Sequence, residues 1–379
     1  MKIVTIVGAR PQFIKAAAVS RAIEAFNRRG PRRRIQEVLV HTGQHYDDVM
    51  DRVFFEELEI PRPRHHLGVG SGPHGKQTAR MMEGIESVLQ KEKPDVVLVY
   101  GDTNSTLAGT LTAVKLNLPV AHVEAGLRSY NRVMPEETNR VLTDHLSRFL
   151  FCPTSVSVKN LAKEGIRNSR ETVVRQVGDV MYDSILFYAG LAEQRSTILK
   201  NLGLDDATTV NAERRKPNYY LATLHRAENT DDPEKLGSIV RALSRIGREA
   251  VVVLPLHPRT RKMMKAYHRL PNVEGLRLIE PLSYLNMVKL MKYCRAVFTD
   301  SGGVQKEAYW LKVPCFTLRE ETEWVETVES GWNMLVGTEE KRILSSVRVL
   351  DEGRGKRKSR AFFGDGKASE QIVQTLMKR

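Results

Sequence analysis

Three carboxylates stand where proton chemistry can be done. Asp102 and Glu124 follow the short apolar runs 96–100 and 119–123, and Glu136 lies in Pro135-Glu136-Glu137, which opens a helical pattern. Acids that converge divide the work of general acid and general base, because desolvation and mutual repulsion separate their pKa values. Taken singly, each also reads as a cap or an ion-pair partner, and Asp102-Thr103 before a helix is an ordinary cap sequence. A second constellation suits an anion. Ser301-Gly302-Gly303 follows a strand-like run and opens a helix, so unhindered backbone N–H groups and the positive helix end face outward as a phosphate cradle. The third glycine of a dinucleotide fingerprint and the lysine of a P-loop are both missing, and a plain tight turn with Ser301 as N-cap has the same sequence. Glu307, six residues on, is placed to accept hydrogen bonds from two ribose hydroxyls, or else is a solvent-facing glutamate.

Cations accompany these groups. Gly8-Ala9-Arg10-Pro11 ends the first apolar run, with Lys15 about one turn further along. Arg10 suits a bidentate grip on phosphate or a cap on a neighbouring element, and Lys15 serves as a point charge. His225, followed by Arg226, and His257, followed by Pro258-Arg259, end successive apolar runs and suit phosphate. No His-Glu-x-x-His or Cys-x-x-Cys spacing exists, so neither a metal nor a resident cofactor is expected. His65-His66 reads as part of an exposed, proline-bounded loop.

The elements that must hold these residues alternate. Apolar runs at 3–7, 37–40, 96–100, 119–123, 149–152 and 173–177 are separated by helical patterns, among them 12–28, 78–91 and 103–116. A second series at 219–224, 251–254, 276–279, 296–299, 315–318 and 334–336 alternates likewise with helices such as 233–247, 283–293 and 303–311. Alternation of this kind means parallel sheets. The expectation is an α/β chain of two doubly wound, Rossmann-like domains, 1–177 and 178–365, with a cleft between them and ligands beyond the carboxyl ends of the strands.

With 379 residues the chain exceeds one ordinary core. Its net charge of +14 raises the question of nucleic acid. Yet Arg28-Arg29 with Arg32-Arg33-Arg34, and the run 354–360, lack interleaved aromatics and any helix-turn-helix or zinc-finger pattern, so solvated loop charge is the expectation and no nucleic-acid partner is foreseen. No apolar run approaches the roughly 18 residues needed to cross a bilayer, and residues 1–7 are too short for a signal-peptide core, so no membrane partner is expected. Cys152, Cys294 and Cys315 are odd in number and far apart, which fits a reducing, cytoplasmic compartment.

The ordered set Gly8-Ala9-Arg10-Pro11, Thr42-Gly43-Gln44-His45, Gly101-Asp102-Thr103, His122-Val123-Glu124-Ala125-Gly126-Leu127-Arg128, Pro135-Glu136-Glu137-Thr138-Asn139-Arg140 and Asp300-Ser301-Gly302-Gly303 resembles the non-hydrolysing UDP-N-acetylglucosamine 2-epimerases over nearly the whole chain. The resemblance implies a GT-B-type fold, with a last helix at 366–379 packing back on the first domain and the active site in the interdomain cleft. It implies anti-elimination of UDP from UDP-N-acetylglucosamine and re-addition to 2-acetamidoglucal, giving UDP-N-acetylmannosamine. By motif, Arg10, Lys15, His225, Ser301, Gly302, Gly303 and Glu307 would hold UDP, and Asp102, Glu124, Glu136 and His225 would serve catalysis. Gln44, Glu136, Arg226 and His257 match a regulatory substrate site of bacterial members, from which this chain departs at Asp47 and Lys76. A homodimer is usual for the family. A hydrolysing relative, a glycosyltransferase of similar architecture and a non-catalytic nucleotide-sugar sensor remain the alternatives.

Overall fold

The structure is a computed structural model that describes residues 1–44, 55–205, 210–211, 216–268, 274–352, 357 and 361–378. His45, Asp47 and most of the basic run 354–360 lie outside the described residues. The chain divides into two compact units, Met1–Leu186 with Ala361–Arg379, and Phe187–Arg360.

Every apolar run read above as a strand forms one. Unit 1 holds β1 (Lys2–Val7), β2 (Gln36–His41), β3 (His65–His66), β4 (Val96–Tyr100), β5 (Val120–Val123), β6 (Phe149–Cys152) and β7 (Val173–Gln176). They form one parallel sheet in the order β3-β2-β1-β4-β5-β6-β7. Parallel sheets covered on both faces need strands that are apolar throughout, and Ile3, Val4, Ile6 and Val7 of β1 and all of β4 are buried. The strand order reverses between β1 and β4, and such a switch point opens a crevice beyond the strand ends. Residues 8–15 and 101–104 therefore flank it.

Unit 2 is built the same way. After a two-residue antiparallel pair, β8 (Val210–Asn211) and β9 (Lys216–Pro217), come β10 (Tyr219–Thr223), β11 (Val251–Pro255), β12 (Leu276–Ile279), β13 (Val297–Thr299), β14 (Cys315–Thr317) and β15 (Asn333–Leu335). The order β12-β11-β10-β13-β14-β15 is parallel throughout and reverses between β10 and β13. Successive side chains of a strand serve opposite faces. Accordingly Tyr220 and Ala222 join one core with Leu236, Ile239 and Leu243, while Tyr219 and Leu221 join another with Leu290, Met291 and Ala308. At this unit's switch point stand His225-Arg226 and Asp300-Ser301-Gly302-Gly303.

In unit 1 the last helix, Ala368–Met377, packs on helix Arg10–Arg28 through Ile372, Val373 and Leu376. Its first N–H groups would otherwise lack partners. Asp183 supplies them, accepting from the backbone of Ala368 at 3.2 Å and Ser369 at 2.7 Å. One expectation is corrected. His65-His66 is no exposed loop but the edge strand β3, and half-buried His65 meets Glu92 at 2.8 Å. The paired charge of Lys2 on the same carboxylate makes that site polar enough to hold an imidazole. Among the described residues, no helix is long and apolar enough to cross a membrane.

Candidate active site

The turn after β1 is set by size. A Cβ on Gly8 would overlap Ser105 Oγ and Thr42 Oγ1, two buried hydroxyls that bond each other at 2.8 Å. Gln12, buried, accepts from the N–H groups of Gly8 at 2.8 Å and Ala9 at 3.1 Å, and donates to the Tyr100 carbonyl at 2.8 Å and Thr106 Oγ1 at 3.0 Å. One carboxamide thereby ties the ends of β1 and β4 together. Gly8→Ala should destabilise the fold by roughly 1–3 kcal/mol through overpacking, read as a lower denaturant midpoint at unchanged slope.

On this base stand the acids of unit 1. Glu124 directly follows β5 with φ of 75°, a left-handed conformation that costs a non-glycine residue energy. Its carboxylate pairs with the Lys15 ammonium, both largely buried. Burial alone would lower the Lys15 pKa; Glu124 outweighs it and raises it. Asp102, following Gly101 at the end of β4, pairs with Arg140, which also holds Glu137 at 2.8 Å. Glu137 is buried and takes the N–H groups of Ser129 and Tyr130, each at 2.9 Å. Burial would raise its pKa, but these donors and Arg140 hold it below the ordinary carboxylate range.

Two expectations change here. The acids are not crowded into mutual repulsion: cations alternate with them, Lys15 on Glu124 and Arg140 between Asp102 and Glu137. Lys15, read as a charge for phosphate, is committed first to a carboxylate. Glu136 is exposed on the first turn of helix Pro135–Leu146, and it is Glu137 that turns inward to Arg140. Arg10 is exposed at the start of its helix. Gln44 accepts from Ser105 N at 3.1 Å and Ser105 Oγ at 2.7 Å, on the first turn of helix Asn104–Lys115, and Lys76 is exposed. Thr103 caps that helix, which leaves Asp102 free of the capping role.

Unit 2 gathers anion-binding groups around Asp300. This wholly buried carboxylate accepts from the N–H of His225 at 3.1 Å, of Arg226 at 3.0 Å and from Asn229 Nδ2 at 3.3 Å, and it faces His225 Nδ1 at 3.1 Å. Burial would raise its pKa, yet the His225 ring and these donors hold it below the usual value. An imidazole anchored through Nδ1 presents Nε2 outward. The ring of His257 lies 5.9 Å from that of His225, and burial and the His225 charge lower its pKa. Arg226 reaches Glu323 at 3.4 Å.

Ser301 occupies the N-cap position of helix Gly302–Trp310, but its hydroxyl makes no capping bond, while its N–H goes to Thr299 Oγ1 at 2.9 Å. A Cβ on Gly302 would press on Trp324 Nε1 at 3.1 Å, whereas one on Gly303 would meet Ser301 Oγ at 3.9 Å, an ordinary contact. Glu307 is not solvent-facing. It is buried, accepts from Tyr284 Oη at 2.9 Å, and burial pushes its pKa up to about 7. Sequence reading missed Gln12, Arg140, Asp300 and Tyr284 as site residues. Asp300 carried a signal, an acid ending an apolar run; Tyr284, 23 residues before Glu307, carried none.

The family model described as UDP-N-acetylglucosamine 2-epimerase matches residues 28–377. The chain is 51% identical over 99% of each chain to a UDP-N-acetylglucosamine 2-epimerase homolog of Methanococcus maripaludis. It is 49% identical to the UDP-2,3-diacetamido-2,3-dideoxy-D-glucuronate 2-epimerase of Pseudomonas aeruginosa, over 100% of both. Among solved structures, the UDP-GlcNAc 2-epimerase of Methanocaldococcus jannaschii in complex with UDP-GlcNAc and UDP superposes with a TM-score of 0.83, at 43% identity over 100% of both chains.

Proposed function

Because the chain belongs to the UDP-N-acetylglucosamine 2-epimerase family, we propose that it interconverts UDP-N-acetylglucosamine and UDP-N-acetylmannosamine without releasing free sugar. The observation that carries this reading is the division of chemistry between switch points: cation-paired carboxylates at that of unit 1, and a histidine, a glycine-opened helix and a buried ribose-type acid at that of unit 2. Ser301, Gly302, Gly303, His225 and Glu307, with Arg10, hold the UDP moiety. A carboxylate of the Asp102, Glu124 and Glu136 set takes the C2 proton as the C1–O bond to UDP breaks and C1=C2 forms. UDP then re-adds at C1 as a proton returns to the other face of C2. Holding the glycal beside UDP makes rejoining effectively unimolecular, which favours epimerisation over release. The three free, buried cysteines suit a cytoplasmic enzyme.

A second reading concerns the sugar. The Pseudomonas aeruginosa relative, at 49% identity, is more alike than the Methanocaldococcus jannaschii enzyme at 43%, and its substrate name adds a 3-acetamido group and a uronate while leaving the C2 chemistry the same. One experiment addresses both. In deuterated water, each sugar nucleotide is incubated separately and C2 deuterium, manno epimer and free UDP are followed. Deuterium at C2 with UDP retained is expected, and the faster of the two substrates identifies the sugar. Free sugar formed in step with UDP would favour the hydrolysing type, and no C2 exchange with either substrate would overturn the proposal.

A further inference from the structure

A buried network in unit 1 connects the turn that carries Asp102 to the turn that carries Glu124. His122, in the middle of β5 and wholly buried, lies with Nε2 at 2.8 Å from the Gly101 carbonyl and Nδ1 at 2.7 Å from Asp144 Oδ1. Gly101 offers only a carbonyl oxygen there, so Nε2 donates to it, while Nδ1 faces the carboxylate. Asp144, buried on helix Pro135–Leu146, takes the Gly126 N–H at 3.0 Å and Arg128 Nη1 at 2.7 Å on its other oxygen. Arg128 in turn grips Glu164 through two bonds of 2.7 Å, and the Gly126 carbonyl accepts from Asn160 at 3.0 Å.

The groups this network holds are the peptides on either side of the reactive acids. Gly101 precedes Asp102, and Gly126 follows Glu124 by two residues; φ is 63° at Gly101, 75° at Glu124 and 80° at Gly126. Gly101 and Gly126 adopt a positive φ at little cost, but Glu124 between them is not a glycine, and its left-handed conformation costs about 1–2 kcal/mol, so it persists where its surroundings hold it. Burying charges to do this adds little net stability, because desolvation offsets the attraction. A brace of apolar residues would stabilise as well but would not fix the direction of a carbonyl and an N–H.

We propose that His122 and Asp144 are positioning residues that lock the Gly101 carbonyl and the Gly126 N–H, and so hold Asp102 and Glu124 in the geometry that proton transfer at C2 requires. The proposal rests on the reading of those two acids as the proton-handling groups. Asparagine and glutamine at position 122 dissect it, because an asparagine amide replaces Nδ1 and a glutamine amide replaces Nε2. His122→Asn keeps the bond to Asp144 and releases Gly101; His122→Gln keeps Gly101.

Rates of C2 deuterium exchange are measured for the full chain with the sugar nucleotide that the native protein accepts, and expressed per UDP-binding site counted by calorimetry. Misfolded protein then does not register as slow protein. His122→Asn should lower kcat for exchange by about 10- to 100-fold, the range a misplacement of order 1 Å produces, with KM and the Kd for UDP unchanged, and His122→Gln should recover most of the loss. An asparagine variant that exchanges at the native rate overturns the brace. So does a loss confined to the number of UDP-binding sites, since that assigns the network to folding alone. A native chain that exchanges no C2 proton sinks the functional reading and the brace together, whereas native exchange matched by the variant sinks the brace only.

Discussion

Glu124→Gln should slow C2 exchange by about 100- to 10,000-fold, the usual contribution of a general base, while leaving UDP affinity as it was. Glutamine keeps the shape of the side chain and an acceptor for Lys15 but cannot take a proton. The same change leaves the Lys15 ammonium, 12% exposed, without its anion, and breaking a buried pair from one side costs about 3–5 kcal/mol. Loss of rate and loss of stability are therefore expected together, and a second substitution separates them. Lys15→Met in the Glu124→Gln background removes the orphaned charge and should recover most of the denaturant midpoint with no recovery of exchange. Exchange that returns with stability would show that Glu124 supports the fold rather than the chemistry. Native exchange in the single variant would remove Glu124 from the mechanism and pass its role to Asp102 or Glu136.

That experiment turns on a pairing the sequence did not reveal. Strands were legible because parallel, doubly covered strands must be apolar along their whole length, and runs such as Val96–Tyr100 are too short and too β-branched for a helix. Switch points were legible in kind, since polar groups gather after such runs. Their partners were not. Lys15 meets Glu124 across 109 positions and Arg140 meets Asp102 across 38, and both separations depend on sheet order, which local pattern does not encode. For the same reason three acids at strand and helix ends suggested mutual repulsion, when the order β1-β4-β5 in fact lays a cation from helix Arg10–Arg28 beside the end of β5. Glu136 and Glu137 show a finer limit. Neighbours on a helix point about 100° apart, so which of two adjacent acids turns inward is decided by the partner helix face and by Arg140. The prolines around His65 suggest a loop, whereas it pairs with Val40 of β2 as an edge strand and its ring meets Glu92, both far away in sequence.

Glu307 ties affinity to stability, and its replacement by glutamine should move the two in opposite directions. In the folded chain burial raises its pKa from 4.5 to about 7. Tyr284 stays a phenol, because its own burial and the adjacent Glu307 push its pKa well above the ordinary value, so it continues to donate. With the folded pKa above the unfolded one, the stability this carboxyl contributes is fully present below pH 4.5 and is lost as pH rises through about 7. The cost of carrying the ionised group at pH 8 is then about 3 kcal/mol at most. Glu307→Gln carries no such cost, so its stability relative to the native chain should grow between pH 5 and pH 8 (roughly the window set by the two pKa values), measured as paired denaturant midpoints. Ribose hydroxyls, by contrast, donate to the ionised form and strengthen it. UDP binding by the native chain should therefore tighten as pH rises toward and through about 7 and should release protons there, visible as a dependence of calorimetric enthalpy on the buffer. The glutamine variant should bind UDP about 10- to 100-fold more weakly, the worth of a charge-assisted hydrogen bond, with no proton release. Tighter or unchanged binding in the variant, or a native enthalpy independent of buffer, would remove Glu307 from the nucleotide site and leave it a buried acid bonded to Tyr284.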